Sequence, residues 1–296
     1  MLESIWVQTF MAALFYAVPL VLAALGETIY QKSGQINLGL EGIMVAGSFG
    51  ALQVMAAGGN PWLAMLAGMG LGLVMGLLQS LFVLTMRRDQ VVVGVALNLL
   101  AFGLTNFYYR EQFGQSGTLL KFSTLPELFG GRDLIFWLQF LLVPMAAWVL
   151  WRTRWGLAVR ATGESPVAVS AAGFSPSRLR WQAAILAALL GGAAGAYLVA
   201  GITGSYTENM AAGKGFMAIA LVTFGRWNPF GVYGACLLIA FADAARYQFQ
   251  ARGIVHLPDA AWVALPYLLA LIVLVFVDKG GREPQNLGVA LPDRMS

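Results

Sequence analysis

Apolar residues run along this chain in blocks of about twenty, each closed by a short polar or Gly/Pro-bearing stretch. About twenty residues at 1.5 Å each carry an α-helix across a hydrocarbon layer of about 30 Å. Nine blocks are legible, at about 5–25, 36–57, 61–84, 90–109, 133–151, 180–200, 214–226, 229–250 and 261–277. The seventh is too short for a full crossing. Asn60-Pro61, Ser175-Pro176 and Asn228-Pro229 each set a capping side chain before a proline at the first helical position. Pro19, Pro144 and Pro266 lie inside apolar runs, where a bundle tolerates the kink because neighbours satisfy the freed carbonyl. The expected fold is an all-α membrane protein: one polytopic bundle of about nine transmembrane helices, spanning 1–296 as a single domain.

Composition supports a lipid solvent. The chain is 59% hydrophobic and 11% charged, against about 25% charged in soluble domains. Gly68, Gly72 and Gly76 recur every four residues, as do Gly191 and Gly195, and such faces pack helices closely. With one cysteine, Cys236, and one histidine, His256, there is no disulfide, zinc site or Cys/His nucleophile to expect. That leaves a membrane enzyme little to work with. The net charge of +4 sits mostly in loops and is no nucleic-acid footprint. The first segment lacks a basic leader and is expected to remain as a helix.

Basic residues orient the bundle. With the C-terminus in the cytoplasm and nine spans, twelve of the 18 Lys and Arg residues fall inside, including the cluster Arg152, Arg154, Arg160, Arg178 and Arg180. The opposite topology inverts that ratio.

The inside segment at about 160–180 is unlike a polar linker. Ser165 caps a helix whose first residue is Pro166, and Gly173 suits a left-handed terminus. Between them Val167, Ala168, Ala171 and Ala172 make about two apolar turns. A helix this short is unstable alone in water and needs a partner surface. That surface is either the lipid interface or a groove in a soluble protein.

This segment resembles the coupling helix of ATP-binding-cassette importer permeases, with Gly163, Glu164, Ser165, Pro166, Val167, Ala168, Ala171, Ala172 and Gly173 as the residues that contact the ATPase. Three further stretches resemble permeases for nucleosides and simple sugars. They are Gly26-Glu27 through Gly34-Gln-Ile-Asn37-Leu-Gly39-Leu-Glu41-Gly42, Val92-Val-Gly94-Val-Ala-Leu-Asn98, and Gly213-Lys-Gly-Phe-Met-Ala-Ile-Ala220 with Phe224-Gly-Arg-Trp-Asn-Pro229. The likeness runs over about residues 10–278 and looks closest to the shorter permease of bacterial nucleoside importers. It implies a multi-pass protein of the bacterial inner membrane. Its implied partners are a second, different permease, ABC ATPase subunits and an extracytoplasmic substrate-binding protein. No cofactor is expected on this chain, with ATP used through the ATPases. The phosphate-loop pattern is absent here. The implied cargo is a nucleoside or related small polar solute, with a simple sugar such as a pentose as the alternative.

Polar groups at membrane depth are costly and face a bundle interior. Asn98, Phe102 and Asn106 share one helical face, either lining a passage for a polar ring or bonding neighbouring helices. Asn37 and Glu41, one turn apart, read as structural or gating, since Glu41 can accept from backbone donors. Lys214, between two glycines before a helix, is expected near an outer mouth, with a helix N-terminus open to negative charge on a ligand. Asp243 and Arg246 have the spacing of a local ion pair. Asp243 is also the one deep carboxylate on which an ion-gradient-driven transporter could be built.

Overall fold

The computed structural model describes residues 2–114, 121–252, 268 and 283–291. The described residues form ten helices: α1 (Leu2–Lys32), α2 (Leu40–Ala56), α3 (Pro61–Ser80), α4 (Gln90–Phe113), α5 (Leu134–Arg152), α6 (Arg154–Glu164), α7 (Pro166–Ala171), α8 (Pro176–Tyr197), α9 (Lys214–Phe224) and α10 (Pro229–Arg252). π-helical turns extend α3 over Leu81–Thr85 and α8 over Leu198–Thr203. A small antiparallel hairpin, β1 (Glu127–Phe129) and β2 (Arg132–Asp133), leads into α5. Among the described residues six helices have the length and hydropathy to cross a membrane, while α2 and α9 are shorter apolar helices. The expected helix at 261–277 and His256 lie outside the described residues.

The expected caps form. Asn60 accepts from the Trp62 N–H at 2.9 Å at the start of α3. Ser175 accepts from the Arg178 N–H at 3.4 Å at the start of α8, and Asn228 from the Phe230 N–H at 3.0 Å at the start of α10. Asp133, which the sequence did not single out, accepts from the Ile135 and Phe136 N–H groups and opens α5. The first block continues well past residue 25. Hydropathy falls at Glu27 and Gln31, but those two pair one turn apart at 2.8 Å inside the bundle, so the helix runs on to Lys32.

The glycine faces build the centre. α3 and α8 cross so closely that a Cβ on Gly72 would meet the Gly192 Cα at 2.4 Å. One on Gly195 would drive into the Met44 carbonyl of α2. Without a hydrophobic force between helices in lipid, this backbone-to-backbone approach is what binds α2, α3 and α8.

Two helices are broken at depth. After Lys32 the chain turns back along its own helix, and the Asn37 N–H donates to Glu27 Oε1 at 3.2 Å. α2 therefore starts within the bundle and runs away from the end that carries Lys32 and α7, here termed the α7 end. α9 has 11 residues, about 16 Å at 1.5 Å each, half of a membrane core. Its C-terminus reaches the α7 end, where Trp227 Nε1 donates to Gln31 Oε1 at 2.7 Å. At the far end, Phe122 and Leu125 donate to Gly204 and Ala200, and the chain then descends through 205–213 to the start of α9. α2 and α9 thus point in opposite directions with their N-termini facing each other.

Candidate functional site

At the α7 end, α6 begins with the Thr153 hydroxyl accepting from the Gly156 N–H and lies across the end of α1. The approach at Gly163 is closest, since a Cβ there would meet the Lys32 carbonyl at 2.4 Å. Ser165 then accepts from the Ala168 N–H at 3.3 Å, Pro166 takes the first helical position, and Gly173 ends α7 at φ 84°. The Phe174 N–H bonds the Val169 carbonyl, completing the left-handed terminus. Pro166 and Val169 face inward, Val169 packing with Ala158, Val159 and Leu179. Val167, Ala168, Ala171, Ala172, Gly173 and Phe174 face out, with Val167 59% and Phe174 51% exposed. Glu164 is exposed and Ser165 half-buried, whereas Gly163 is buried. A six-residue helix with a rigid inner face thus presents an apolar outer one.

The polar centre lies where the broken helices meet. Glu41, in the first turn of α2 and 1% exposed, accepts from the Gly213 N–H through Oε1 and from the Gly215 N–H through Oε2, both at 2.7 Å. These are orphan donors at the start of α9. The same carboxylate lies at the positive end of α2. Asn98 does the matching work for α2: its Oδ1 accepts from the Gly42 N–H at 2.7 Å and its Nδ2 donates to the Leu38 carbonyl at 2.8 Å. Each broken helix is capped by a side chain from elsewhere in the bundle.

Several expected site residues are accordingly re-placed. The N-terminus of α9 is not open to a ligand, because Glu41 fills it. Lys214 is half-buried at the inner start of α9 instead of at a mouth, with Asp243 and Glu41 within its electrostatic reach. Glu208, six residues before Lys214 in the chain, stays at the far surface in a bidentate pair with Arg110 at 2.7 and 2.8 Å. Asn98 is consumed by backbone groups, so of the two readings of the stripe it follows interhelical bonding. Phe102 packs against the main core. Asn106 alone of the three has a carbonyl oxygen without a bonding partner, and it lines a shallow cavity of about 510 Å³ with Gly103, Phe107 and Arg110. Asn37 is buried, with its Oδ1 unpartnered beside Gly39. Asp243 and Arg246 stand 4.0 Å apart, the long limit of an ion pair, and the guanidinium also covers the Tyr247 ring.

Residues that sequence reasoning passed over include Gln31 and Trp227, which join α1 to α9, and Asn286. Asn286 donates its backbone N–H to the Gly163 carbonyl at 2.8 Å and its Nδ2 to the Glu164 carbonyl at 2.6 Å. A polar Gln in an apolar run was the available signal for the first pair. Nothing local marks the second. Among the described residues no three His, Cys, Asp or Glu side chains cluster in a way that could hold a metal ion.

A glycine-packed membrane bundle with two half-length helices meeting at depth, and a short capped helix at one end, defines a polytopic transport permease. Residues 9–277 match the family described as the permease component of the branched-chain amino acid transport system, and the chain belongs to that family. It is similar to the guanosine ABC transporter permease protein NupQ of Bacillus subtilis, 31% identical over 93% of both chains. It is also similar to the nucleoside ABC transporter permease protein NupC of Lactococcus lactis, 32% identical over 93% of this chain and 94% of the relative. The glucose ABC transporter permease protein TsgB13 of Haloferax volcanii is 29% identical over 94% of this chain and 78% of its own length. Among solved structures, an inward-facing ABC transporter of metal-chelate type superposes with TM-score 0.57 at 16% identity, covering 92% of this chain and 87% of that one. That likeness bears on the fold.

Proposed function

We propose that this chain is the permease subunit of an ATP-binding-cassette importer for nucleosides, with α7 as its contact to a cytoplasmic ATPase. The observation that carries the coupling role is the outer face of α7. Val167, Ala168, Ala171 and Phe174 are apolar and uncovered on a helix too short to stand without a partner surface. In this reading the α7 end faces the cytoplasm, which agrees with Arg152, Arg154, Arg160 and Arg178 gathering there. The passage forms between this chain and a second permease, and Asn106 with its unbonded oxygen lies on the α4 surface that lines it. An extracytoplasmic binding protein delivers the cargo, and ATP-driven closure of the ATPases moves α7 and α6 against the end of α1.

The cargo assignment rests on the two nucleoside permeases at 31 and 32% identity. A sugar importer is the second reading, favoured by the glucose permease at 29%. The deciding experiment isolates the tagged chain in mild detergent with its neighbours and follows uptake of labelled guanosine and glucose in cells with and without it. An ATPase and second permease in the isolate, with guanosine uptake lost on deletion, supports the proposal. Loss of glucose uptake alone transfers it to sugars, and a chain that is repeatedly isolated alone overturns the importer reading.

A further inference from the structure

α6 ends at a corner that its own backbone does not complete. Pro166 has no N–H and keeps Ser165 extended at φ −151°, so α6 stops at Glu164 and α7 begins as a separate helix. A helix C-terminus leaves carbonyls without donors from its own helix. The Ser165 N–H donates to the Ala161 carbonyl at 2.8 Å. Two further carbonyls, at the buried Gly163 and at Glu164, receive their donors from Asn286, 122 residues beyond Glu164. The Asn286 N–H donates to Gly163 at 2.8 Å and its Nδ2 to Glu164 at 2.6 Å. α6 is thus capped from a distant part of the chain, as α2 and α9 are.

The segment that carries Asn286 is itself held. Its turn closes with the Leu287 N–H on the Pro284 carbonyl at 3.0 Å and the Val289 N–H on the Asn286 carbonyl at 3.2 Å. Pro284 is buried, and Leu287 packs on the main core. The Gly288 N–H donates to the Gly34 carbonyl at 3.1 Å, and Arg180 of α8 donates through Nη1 to Val289 and through Nε to Ser33. These contacts converge on Gly34, whose φ of 88° suits glycine. A Cβ there would lie 3.0 Å from the Asn286 carbonyl oxygen and 3.2 Å from the Gly163 Cα.

The turn at Gly34 leads into α2, whose Glu41 caps α9. A displacement of α7 therefore reaches the polar centre by this route only if the α6–α7 corner and the turn after α1 move together, which requires a contiguous set of contacts. The approach of Gly163 to the Lys32 carbonyl is steric and resists pressing together. Hydrogen bonds are directional and also resist pulling apart and sliding. Asn286 supplies that second kind of contact.

We infer that Asn286 is a positioning residue for coupling: it bonds both carbonyls at the end of α6 while its own segment is fastened to Gly34 and Arg180, so corner and turn move as one body. The inference rests on the reading of α7 as the contact to the ATPase.

The test reconstitutes the whole transporter in vesicles and measures guanosine uptake and ATP hydrolysis on the same preparation. Asn286→Asp keeps the size of the side chain but sets a carboxylate against the Glu164 carbonyl, and Asn286→Ala removes the side-chain bond without adding charge. Uptake per ATP hydrolysed is expected to fall roughly fivefold in both, the weight of one net hydrogen bond. Asn286→Gln, which retains an amide donor, is expected to recover most of the ratio. A merely structural role lowers uptake and hydrolysis together, in proportion to the folded chain, and an unchanged ratio overturns the inference. Failure of both Asn286→Asp and Asn286→Ala to assemble assigns the residue to folding and overturns it as well. Ala168→Asp is run alongside. Uptake lost there, with a parental ratio in the Asn286 variants, overturns this inference alone; normal uptake there overturns the reading of α7 and this inference with it.

Discussion

Glu41 Oε2 accepts the backbone N–H of Gly215 at 2.7 Å, across 174 residues of chain. With the Gly213 bond beside it, one carboxylate closes the start of α9 while standing in the first turn of α2. Two helix N-termini brought face to face repel through their dipoles, and an anion between them removes that repulsion.

Replacing this group tests that arrangement. Glu41→Ala leaves two donors without partners at membrane depth, at a cost of about 2–4 kcal/mol. The expected outcome is a lower unfolding midpoint in detergent and loss of transport. Glu41→Gln keeps one acceptor oxygen and falls between the two. Equal midpoints for Glu41→Ala and the parent would show that the bonds contribute nothing to the fold.

The glycine contacts make a paired prediction. Gly195→Ala pushes a Cβ into the Met44 carbonyl, where only backbone can give way, so it destabilises by about 1–3 kcal/mol. Gly70→Ala lies on an exposed face of α3 with nothing within 4 Å. It is neutral or stabilising by up to about 1 kcal/mol through helix propensity. Midpoints that fall equally would show that the loss comes from glycine chemistry and not from the crossing of α2 with α8.

How much of this was legible in the sequence depends on how far each signal reaches along the chain. Ser165, Pro166 and Gly173 act on backbone within a few residues, and α7 forms where they place it. The glycine spacing on α3 and α8 likewise announced a packing face, and those faces meet. What Asn98 and Glu41 do was not readable, because each caps a helix from a different part of the chain. Hydropathy also misjudged the second block. Residues 36–39 are as apolar as a helix start, but Asn37 is drawn to Glu27, and the chain passes through a turn at Leu38–Gly39 before the helix begins at Leu40. α6 escaped the reading because an amphipathic helix lying across the bundle end has no apolar run. The segment 283–291 carries no local pattern, and its bonds to Gly34, Gly163 and Arg180 are all tertiary.

At the far surface the pair Arg110–Glu208 ties α4 to the segment that descends to α9. The hydrogen bond from Arg110 holds the Glu208 carboxyl below its ordinary value of 4.5. A depressed folded-state pKa means the pair's contribution is present above that value and lost as pH falls through the lower, folded one. Both groups are exposed, so the effect on stability is small. Arg110→Gln is expected to return the Glu208 titration to the usual carboxylate range, read by carbon NMR of labelled glutamate. An unchanged titration would mean the two side chains do not pair in solution.

A charge on α7 separates coupling from folding. Ala168 is exposed on the outer face, whereas Val169 is 4% exposed and packs inward. Ala168→Asp buries an unpaired carboxylate in any groove that receives α7. ATP-driven uptake is then expected to fall by roughly tenfold or more, with the amount of membrane-inserted protein unchanged. Val169→Asp instead disrupts the packing on Ala158, Val159 and Leu179 and lowers the amount of folded chain. Normal uptake in Ala168→Asp would remove α7 as the coupling element.

Orientation is open to direct chemical measurement. The one native cysteine, Cys236, is fully buried, so a membrane-impermeant maleimide has little background reaction. A cysteine at Ser177, in the first turn of α8 beside α7, is expected to react only when the cytoplasmic side is opened. One at Thr207, exposed on the far end beside Glu208, is expected to react in intact cells. The two sites are tied to opposite ends of one bundle, so their responses must be opposite whichever way the chain inserts. Labelling of Ser177→Cys from outside together with silence at Thr207→Cys would invert the topology and leave the apolar face of α7 where no cytoplasmic ATPase could reach it.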